Sequence, residues 1–413
     1  EKLANRPKGI ETRSFSKIAV LGGGLMGAGI AQVSALAGMD VVVLDISQEA
    51  AEAGITRIRT NFDKGISRGK VDPDKADSAL ARITATADYK DLHGAQLIVE
   101  AVAENRDIKN SVFAKAYEVL SEDAIYCSNT SRLPITSLAQ SIDRPDRFIG
   151  THFFSPVDRM ALVEVIKGAD TSEETLAHTL DYAKAIRKVP VVVNDSRGFF
   201  TTRIFSTYLN EANAMIEDGI APALIENGAR EAGFPVGPLA LMDEVALSLS
   251  YSADKQNRED LGDAWVENAS WRVRKHFVEQ LDRCGRRFGA GYYEYPEDSE
   301  KFLWPGVAEV YVPMDPQPPL EDVKNRFLYI QALEAVRAYE DGVLENIHEG
   351  DLAATLSIGY PTYTGGPFSL IDTVGADKFV NTCERFAEHF GERWKPTPGL
   401  IEQARNNLGF YLE

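Results

Sequence analysis

Cysteine is scarce in this chain, which contains only three in 413 residues. Cys127, Cys284 and Cys383 lie far apart and form no CxxC pair. This pattern argues against a disulfide framework and against a zinc site, because both need cysteines at characteristic spacings. We therefore expect no bound metal and a reducing compartment.

Basic residues are also under-represented, with 44 Lys and Arg against 62 Asp and Glu and a formal net charge of −18. A surface of this sign repels phosphate backbones, so we expect no nucleic-acid partner. Long apolar runs are missing, so no transmembrane segment is predicted, and no signal-peptide pattern is present. Because position 1 is glutamate, we expect a piece or a processed form of a longer protein.

The first half of the chain alternates strand-like and helix-like patterns. The run "SKIAVLGGG" is apolar and β-branched, "LMGAGIAQVSALAG" has helical spacing, and "MDVVVLD" is a second apolar strand. Further strand-like runs continue to Asn194, separated by amphipathic stretches. This alternation predicts a mainly parallel sheet that is covered by helices on both faces.

After Asn194 the pattern is helical and contains an internal repeat. "EDG" at residue 217 recurs at residue 340, "GFP" recurs as "GYP", and "GPLALMD" recurs as "GPFSLID". Two copies of one all-α domain are therefore predicted. The predicted divisions are a linker over 1–14, an α/β domain over 15–195, a first helical domain over 196–296, a proline-rich connector over 297–320 and a second helical copy over 321–413.

The first strand is followed by the glycine pattern Gly22-x-Gly24-x-x-Gly27. These glycines permit a tight turn, close approach of a pyrophosphate and close helix packing, and the helix N-terminus attracts negative charge. Asp45 ends the second strand, where a carboxylate binds ribose hydroxyls and repels a 2′-phosphate, so NAD is predicted rather than NADP. The alternative is a strand–helix turn with incidental glycines. The predicted cofactor-binding residues of this unit are Gly22, Gly24, Leu25, Met26, Gly27 and Asp45.

The stretch "HFFSPVDRMALVEV" predicts two strands that carry His152 and Glu164. If the strands are neighbours, the glutamate fixes the tautomer of the imidazole and stabilises its protonated form, as a base for a hydroxyl oxidation requires. The alternative is a packed core histidine with Glu164 on a solvated face. "SNTS" at residues 128–131 also follows a strand, at the edge where ligand-binding groups gather.

These motifs, in order, resemble the L-3-hydroxyacyl-CoA dehydrogenase family over about residues 17–295: "GGGLMGAGIA", "LIVEAVAEN", "SNTS", "HFFSPV", "LVEVIKG" and "NDSRGFFTTR". The repeat is similar to that of multifunctional fatty-acid oxidation proteins, in which an enoyl-CoA hydratase region precedes this part. The resemblance implies a Rossmann-type NAD-binding domain followed by two all-α domains like the C-terminal domain of 6-phosphogluconate dehydrogenase. It also implies that the hydratase half is absent from this chain.

The resemblance implies roles for individual residues. His152 is similar to the family's catalytic base, Glu164 to its partner, and Ser131 to the serine that binds the reacting oxygen. The positions that match the family's NAD site are Glu104, Lys109 and Asn129. For Glu104 and Lys109 the alternative is an acid at a helix N-terminus followed five residues later by a lysine, both on a solvated helix face. Basic residues after Asp45 stand where the family binds the phosphates of coenzyme A, and Arg68 is the chosen candidate, with a merely solvated helix face as the alternative.

Two positions depart from the family pattern. Ser155 replaces the asparagine of "HFFNP", and Thr202 replaces the asparagine of "GFxxNR". Serine and threonine have no amide pair, so both changes affect how the substrate is held.

The function implied is NAD-dependent oxidation of (3S)-3-hydroxyacyl-CoA to 3-oxoacyl-CoA in fatty-acid β-oxidation. The alternatives are a dehydrogenase of another hydroxy acid and a non-catalytic NAD-binding scaffold. The resemblance also implies a thiolase subunit as the partner of the full-length protein. We expect the bacterial cytoplasm, with the mitochondrial matrix as the less favoured compartment.

Overall fold

The computed structural model describes residues 5–411, and of Asp260 only the backbone. Residues 1–4 of the predicted linker and residues 412–413 of the predicted second copy lie outside the described residues. The chain divides into two compact units, the first comprising 1–202 and 341–357 and the second 203–340 and 358–413. The predicted domain boundaries remain predictions. In the structure, residues 341–357 of the predicted second helical copy belong to the N-terminal unit.

The first unit contains an eight-stranded sheet with the order β3-β2-β1-β4-β5-β6-β7-β8. All neighbouring pairs are parallel except β6 and β7, which are antiparallel. The order reverses between β1 and β4, which creates a crevice at the carboxyl ends of the strands. The strands are β1 (Lys17–Leu21), β2 (Asp40–Leu44), β3 (Ile83–Thr86), β4 (Leu97–Glu100), β5 (Ile125–Ser128), β6 (Phe148–Phe153), β7 (Leu162–Lys167) and β8 (Val189–Asn194).

Helices cover both faces of this sheet, because its strands are apolar on both sides. One face packs Ile18, Val99 and Val165 against residues of α1, α2 and α6. On the other face, the ring of Phe113 on α4 contacts Phe148, with 4.7 Å between the centroids. The helices of this part are α1 (Leu25–Leu36), α2 (Gln48–Ser67), α3 (Pro73–Leu80), α4 (Arg106–Tyr117), α5 (Ile135–Ala139) and α6 (Glu173–Ala185). The predicted Rossmann-type architecture is confirmed.

Among the remaining described residues, the regular structure is helical apart from one short hairpin of β9 (Tyr293–Glu294) and β10 (Phe302–Leu303). Short stretches of 3₁₀ helix connect some of its α-helices. The α-helices are α7 (Thr201–Glu217), α8 (Pro222–Glu231), α9 (Pro238–Val245), α10 (Leu247–Leu261), α11 (Ala269–Glu279), α12 (Gly306–Val310), α13 (Leu320–Glu340), α14 (Ile347–Ser357), α15 (Pro367–Val374), α16 (Ala376–Phe390) and α17 (Pro398–Arg405).

The predicted repeat is visible in matching carboxylate clamps of the second unit. Asp243 on α9 accepts hydrogen bonds from the backbone amides of Tyr292 and Tyr293, at 2.8 and 2.9 Å. Asp372 on α15 accepts from Phe410 and Tyr411 in the same way, at 2.7 and 2.8 Å. A glycine precedes each amide pair in "GYYEY" and "GFYLE", where a side chain would collide with the aspartate. Each copy therefore closes its C-terminal segment onto an aspartate of a preceding helix.

The two copies exchange ion pairs between α7 and α13. Arg203 pairs with Glu334, and Arg326 pairs with Glu211 through Nε and Oε1 at 2.7 Å. The arginine and the glutamate stand at the same spacing on each helix, so the pairs are reciprocal. Burial alone would raise the pKa of Glu211, but Arg326 and Arg393 outweigh burial and hold that pKa below its usual value. Charges of the two copies therefore compensate each other inside the unit.

We predict that Arg326→Met destabilises the protein by about 3–5 kcal/mol, because it leaves the buried carboxylate of Glu211 undercompensated. Urea unfolding followed by circular dichroism measures the change. Lys324→Met is the control: Lys324 pairs with exposed Glu321 on the same helix, and its loss changes the free energy of unfolding by about 0.5 kcal/mol or less. Equal unfolding midpoints for the two variants would contradict the structural importance of the reciprocal pairs.

Helix α14 is attached to the sheet of the first unit through Glu349. Its Oε2 accepts a hydrogen bond from the amide of Val192 on β8 at 2.9 Å, and its Oε1 accepts one from Asn5. Burial raises the pKa of Glu349 to about 7. Since this value lies above that of an unfolded chain, the ionised carboxylate destabilises the fold above pH 7, and the effect disappears as the pH falls towards 4.5.

We predict that Glu349→Gln raises the free energy of unfolding at pH 8 by about 1–3 kcal/mol, and with it the unfolding midpoint. At pH 4.5 the same change should have little effect. Thermal unfolding at the two pH values tests this. Glu345→Gln is the matched control from the same segment, since bonds from Asn194 and Lys167 lower the pKa of Glu345. Glu345→Gln should lower the free energy of unfolding at pH 8. If both variants were stabilised at pH 8, the destabilising effect assigned to the ionised carboxylate of Glu349 would be refuted.

Candidate functional site

The turn between β1 and α1 contains three patterned glycines, and two of them, Gly22 and Gly27, have no room for a side chain. Gly22 has a φ of +104°, and a Cβ on it would lie 2.8 Å from the carbonyl oxygen of Ala101. A Cβ on Gly27 would lie 1.8 Å from the oxygen of Gly22. At Gly24 a Cβ would meet no described atom within 4 Å, and no described side chain caps α1. The turn therefore presents open space and uncapped helix amides, as a bound pyrophosphate requires.

Asp45 lies beside this turn, directly after β2. Its Oδ2 accepts a hydrogen bond from the amide of Gly23 at 2.7 Å, and its Oδ1 accepts one from Ile46 at 2.7 Å. Gly54 on α2 packs against Gly23, where a Cβ would come within 3.0 Å of the Gly23 Cα. The sequence predicted Asp45 but missed Gly23 and Gly54, although both are glycines within the βαβ unit and its following helix. The turn is thus held from β2 and α2 together.

Exposed apolar side chains flank the turn. Ile46 is 96% exposed and Leu25 is 65% exposed, whereas Met26 is partly buried against the core. Leu25 begins α1 and Ile46 follows Asp45, so both stand next to the predicted pyrophosphate and ribose positions. Apolar surface at such a place suits the flat face of a base.

Glu100 ends β4 as a fully buried carboxylate that the sequence analysis missed. It accepts bonds from Lys109 Nζ at 2.7 Å, Ser128 Oγ at 2.6 Å and the amide of Val102 at 2.8 Å. Burial raises its pKa, and the charge of Lys109 acts in the opposite direction. Lys109 is itself buried, so the alternative of a solvated helix face does not apply to it. The signal in the sequence was a glutamate that closes an otherwise apolar strand.

Glu104 connects this network to the "SNTS" loop. It accepts bonds from Thr130 Oγ1 at 2.6 Å and from the amide of Ser131 at 3.1 Å, and Lys109 lies 3.2 Å away. Within the described residues, the hydroxyl of Ser131 has no hydrogen-bond partner. Asn129 accepts a bond from the amide of Phe153 at 2.8 Å, which joins the loop to β6. The structure thus brings Glu104, Lys109, Asn129 and Ser131 into one connected group.

His152 and Glu164 are cross-strand neighbours in the antiparallel pair of β6 and β7. His152 Nδ1 lies 2.9 Å from Glu164 Oε2. The histidine is 8% exposed and the glutamate is 0% exposed. The imidazole ring also contacts Phe154 and Phe199, with centroid distances of 4.5 and 6.3 Å. The predicted pairing of the two side chains is present, and Glu164 lies in the core instead of on a solvated face.

Three further donors hold the carboxylate of Glu164. Its Oε1 accepts from the amides of Phe200 and Thr201, both at 3.0 Å, and its Oε2 accepts from Thr201 Oγ1 at 2.6 Å. A carboxylate with these donors is an acceptor, so the proton of a neutral His152 resides on Nδ1 and its Nε2 carries the lone pair. The pair can therefore accept a proton at Nε2 and stabilise the resulting imidazolium.

The remaining predicted residues lie at the surface or near it. Ser155 is exposed and Thr202 is half-buried. Arg68 is exposed at the C-terminal end of α2, and its side chain makes no hydrogen bond or ion pair with another described residue. Four other exposed basic residues share this part of the chain, namely Arg57, Arg59, Lys64 and Lys70.

Residues 5–411 lack two kinds of feature. They contain no group of three or more His, Cys, Asp or Glu side chains arranged to hold a metal ion. In the same part of the chain, the helices are too short or too polar to cross a bilayer.

Comparison with known proteins identifies matches to both parts of the chain. Residues 17–196 match the family model "3-hydroxyacyl-CoA dehydrogenase, NAD binding domain", and 198–295 and 323–408 match "3-hydroxyacyl-CoA dehydrogenase, C-terminal domain". The fatty acid oxidation complex subunit alpha of Shewanella sp. (strain W3-18-1) is 37% identical over 412 residues, which are 98% of this chain and 57% of that protein. This chain therefore spans little more than half the length of such relatives.

Two solved structures of 3-hydroxybutyryl-CoA dehydrogenases are also similar to this chain. The (S)-3-hydroxybutyryl-CoA dehydrogenase of Ralstonia eutropha is 35% identical with a TM-score of 0.65, and the match covers 69% of this chain and 100% of that one. A 3-hydroxybutyryl-CoA dehydrogenase of Escherichia coli matches 96% of this chain and 99% of its own with a TM-score of 0.79. At 24% identity the latter shows a shared fold.

We predict that Asp45→Asn weakens NADH binding by about tenfold, because a charged acceptor for ribose hydroxyls is lost. The NADPH affinity should rise relative to NADH, because repulsion of the 2′-phosphate is removed. Titration of NADH and NADPH fluorescence measures both. Asp40→Asn is the control, because Asp40 begins β2 and forms an exposed pair with Arg82. An unchanged ratio of the two affinities in Asp45→Asn would rule out the role of this carboxylate.

Proposed function

The chain belongs to the 3-hydroxyacyl-CoA dehydrogenase family, and we propose that it oxidises (3S)-3-hydroxyacyl-CoA to 3-oxoacyl-CoA with His152 as the base. The family is one of NAD-dependent dehydrogenases, and residues 17–196 are its NAD-binding domain. The observation that carries the proposal is the hydrogen bond of 2.9 Å between His152 Nδ1 and buried Glu164. This bond leaves Nε2 as the acceptor for a hydroxyl proton.

The residues near the glycine turn fit the cofactor. Open space at Gly24 and the uncapped N-terminus of α1 suit the pyrophosphate, and Asp45 suits the adenosine ribose. The network of Glu100, Glu104 and Lys109 supports the loop that follows β4. Bound NAD supplies the acceptor for the hydride that leaves C3 of the substrate.

The protein groups manage the proton of the same step. His152 Nε2 takes the proton of the C3 hydroxyl while the C3 hydrogen departs as hydride, so the C–O bond becomes a carbonyl. Glu164 stabilises the imidazolium that forms. The hydroxyl of Ser131 donates a hydrogen bond to the reacting oxygen, and Asn129 keeps the loop of Ser131 tied to β6.

Arg68 and its basic neighbours on and after α2 are our proposed contacts for the phosphates of coenzyme A. They are a cluster of exposed cations in a chain with a net charge of −18, so they attract an anionic substrate locally. Because relatives are named as subunits of a fatty acid oxidation complex, we also propose that the full-length protein acts in β-oxidation in the bacterial cytoplasm with a thiolase subunit.

We predict that His152→Gln lowers turnover of acetoacetyl-CoA with NADH by about 10²–10⁴-fold, because the proton-transfer group is lost. NADH affinity should stay close to that of the unmodified protein. Initial rates of NADH oxidation and fluorescence titration measure the two quantities. His93→Gln, at an exposed position, is the control.

Undiminished turnover in His152→Gln would overturn the role of the histidine. A series of 3-oxoacyl-CoA substrates of increasing length, run beside free hydroxy acids, separates the proposed reaction from that of a dehydrogenase acting on another hydroxy acid. Tight NADH binding without turnover of any acyl-CoA would identify a scaffold instead.

A further inference from the structure

We propose that Thr201 is a positioning residue, whose hydroxyl holds the carboxylate of Glu164 in the orientation that supports His152. The inference rests on the proposed function of His152 as the base. Thr201 touches neither substrate nor cofactor in this role, and acts through Glu164 alone.

The geometry around Oε2 of Glu164 carries the proposal. This oxygen accepts a hydrogen bond from Thr201 Oγ1 at 2.6 Å and lies 2.9 Å from His152 Nδ1. Thr201 and Glu164 are each 0% exposed. Bulk water therefore does not compete with the hydroxyl for this carboxylate. The hydroxyl also bonds to the same oxygen as the imidazole.

The other oxygen of Glu164 is held separately by the start of α7. The amides of Phe200 and Thr201 donate to Oε1, both at 3.0 Å, where the helix dipole is positive. The backbone thus fixes one oxygen, and the hydroxyl fixes the other. Together they restrain rotation of the carboxylate plane away from the ring of His152, and because each of these groups donates to Glu164, the carboxylate accepts the proton carried by Nδ1.

The role differs from that of an ordinary threonine at a helix start. A capping threonine accepts a bond from a backbone amide of its own helix. Thr201 instead donates its hydroxyl proton to a carboxylate that belongs to β7. The adjacent Thr202 is half-buried and has no bond to Glu164 within the described residues, so the two neighbouring threonines are not equivalent.

The test compares Thr201→Val, which keeps the shape and removes the hydroxyl, with Thr201→Ser, which restores it. Thr179→Val is the matched control, because Thr179 is also 0% exposed and loses a bond of 2.7 Å to the carbonyl of Thr175. Turnover of acetoacetyl-CoA is measured with the KM for NADH. The Nδ1–H resonance of His152 is observed in protein labelled with ¹⁵N-histidine, and its loss in His152→Gln assigns it among six histidines.

We expect Thr201→Val to lower kcat by roughly tenfold, with the KM for NADH unchanged within about twofold. Its His152 resonance should move, whereas Thr201→Ser and Thr179→Val should retain the kcat and the resonance of the unmodified protein. A general loss of stability would affect both valine variants, so it cannot produce this difference. If Thr201→Val does not fold, Thr201→Ala removes the same hydroxyl and is interpreted in the same way.

An unmoved resonance together with an unchanged kcat in folded Thr201→Val would overturn the proposal. So would failure of Thr201→Ser to restore the resonance. The two hypotheses fail separately: if the unmodified protein turns over no acyl-CoA, the proposed function is wrong, and the resonance still decides whether Thr201 positions the pair.

Discussion

The candidate site depends on the hydrogen bonds that hold the buried carboxylate of Glu164. A charge in the core is stable only with several donors around it, and this one has an imidazole, two amides and a hydroxyl. To supply them, the sheet places β7 antiparallel to β6, and the chain returns after β8 to begin α7 beside the same carboxylate. The single reversal of strand direction between β6 and β7 is therefore the step that sets His152 opposite its partner.

A second set of polar contacts extends from this pair towards the nucleotide turn. Asn129 ties the "SNTS" loop to β6, Glu104 ties the same loop to Lys109, and Lys109 reaches the end of β4 through Glu100. The elements concerned all belong to the first unit. Because each step is a hydrogen bond or an ion pair and Glu100 and Lys109 are buried, a displacement at one end is resisted at the other. Removal of a hydride from a carbon and of a proton from the hydroxyl on that carbon needs such fixed relative positions.

The sequence predicted what depends on local patterns. The glycine turn followed from strand, helix and carboxylate spacing, and the facing of His152 and Glu164 followed from two short strands that could pair. It did not predict Glu100, Gly54 or Thr201, because each acts across a distance in the chain that no local periodicity encodes. Thr201 is one of two adjacent threonines. They differ only in that the start of α7 places Thr201 beside Glu164 on β7. The attachment of α14 to β8 is of the same kind, since it includes the hydrogen bond from the amide of Val192 to half-buried Glu349.

The reciprocal pairs between α7 and α13 have a consequence for how the protein is made. Glu211 and Arg326 are separated by 115 positions. At a synthesis rate of about 5–20 residues per second, the glutamate waits roughly 6–23 s for its arginine to be polymerised. During that interval α7 has been synthesised, and Glu211 has no Arg326 to compensate its charge. Nascent chains of this protein therefore pass through a stage in which the first helical copy has been made and the second copy, which it pairs with, has not.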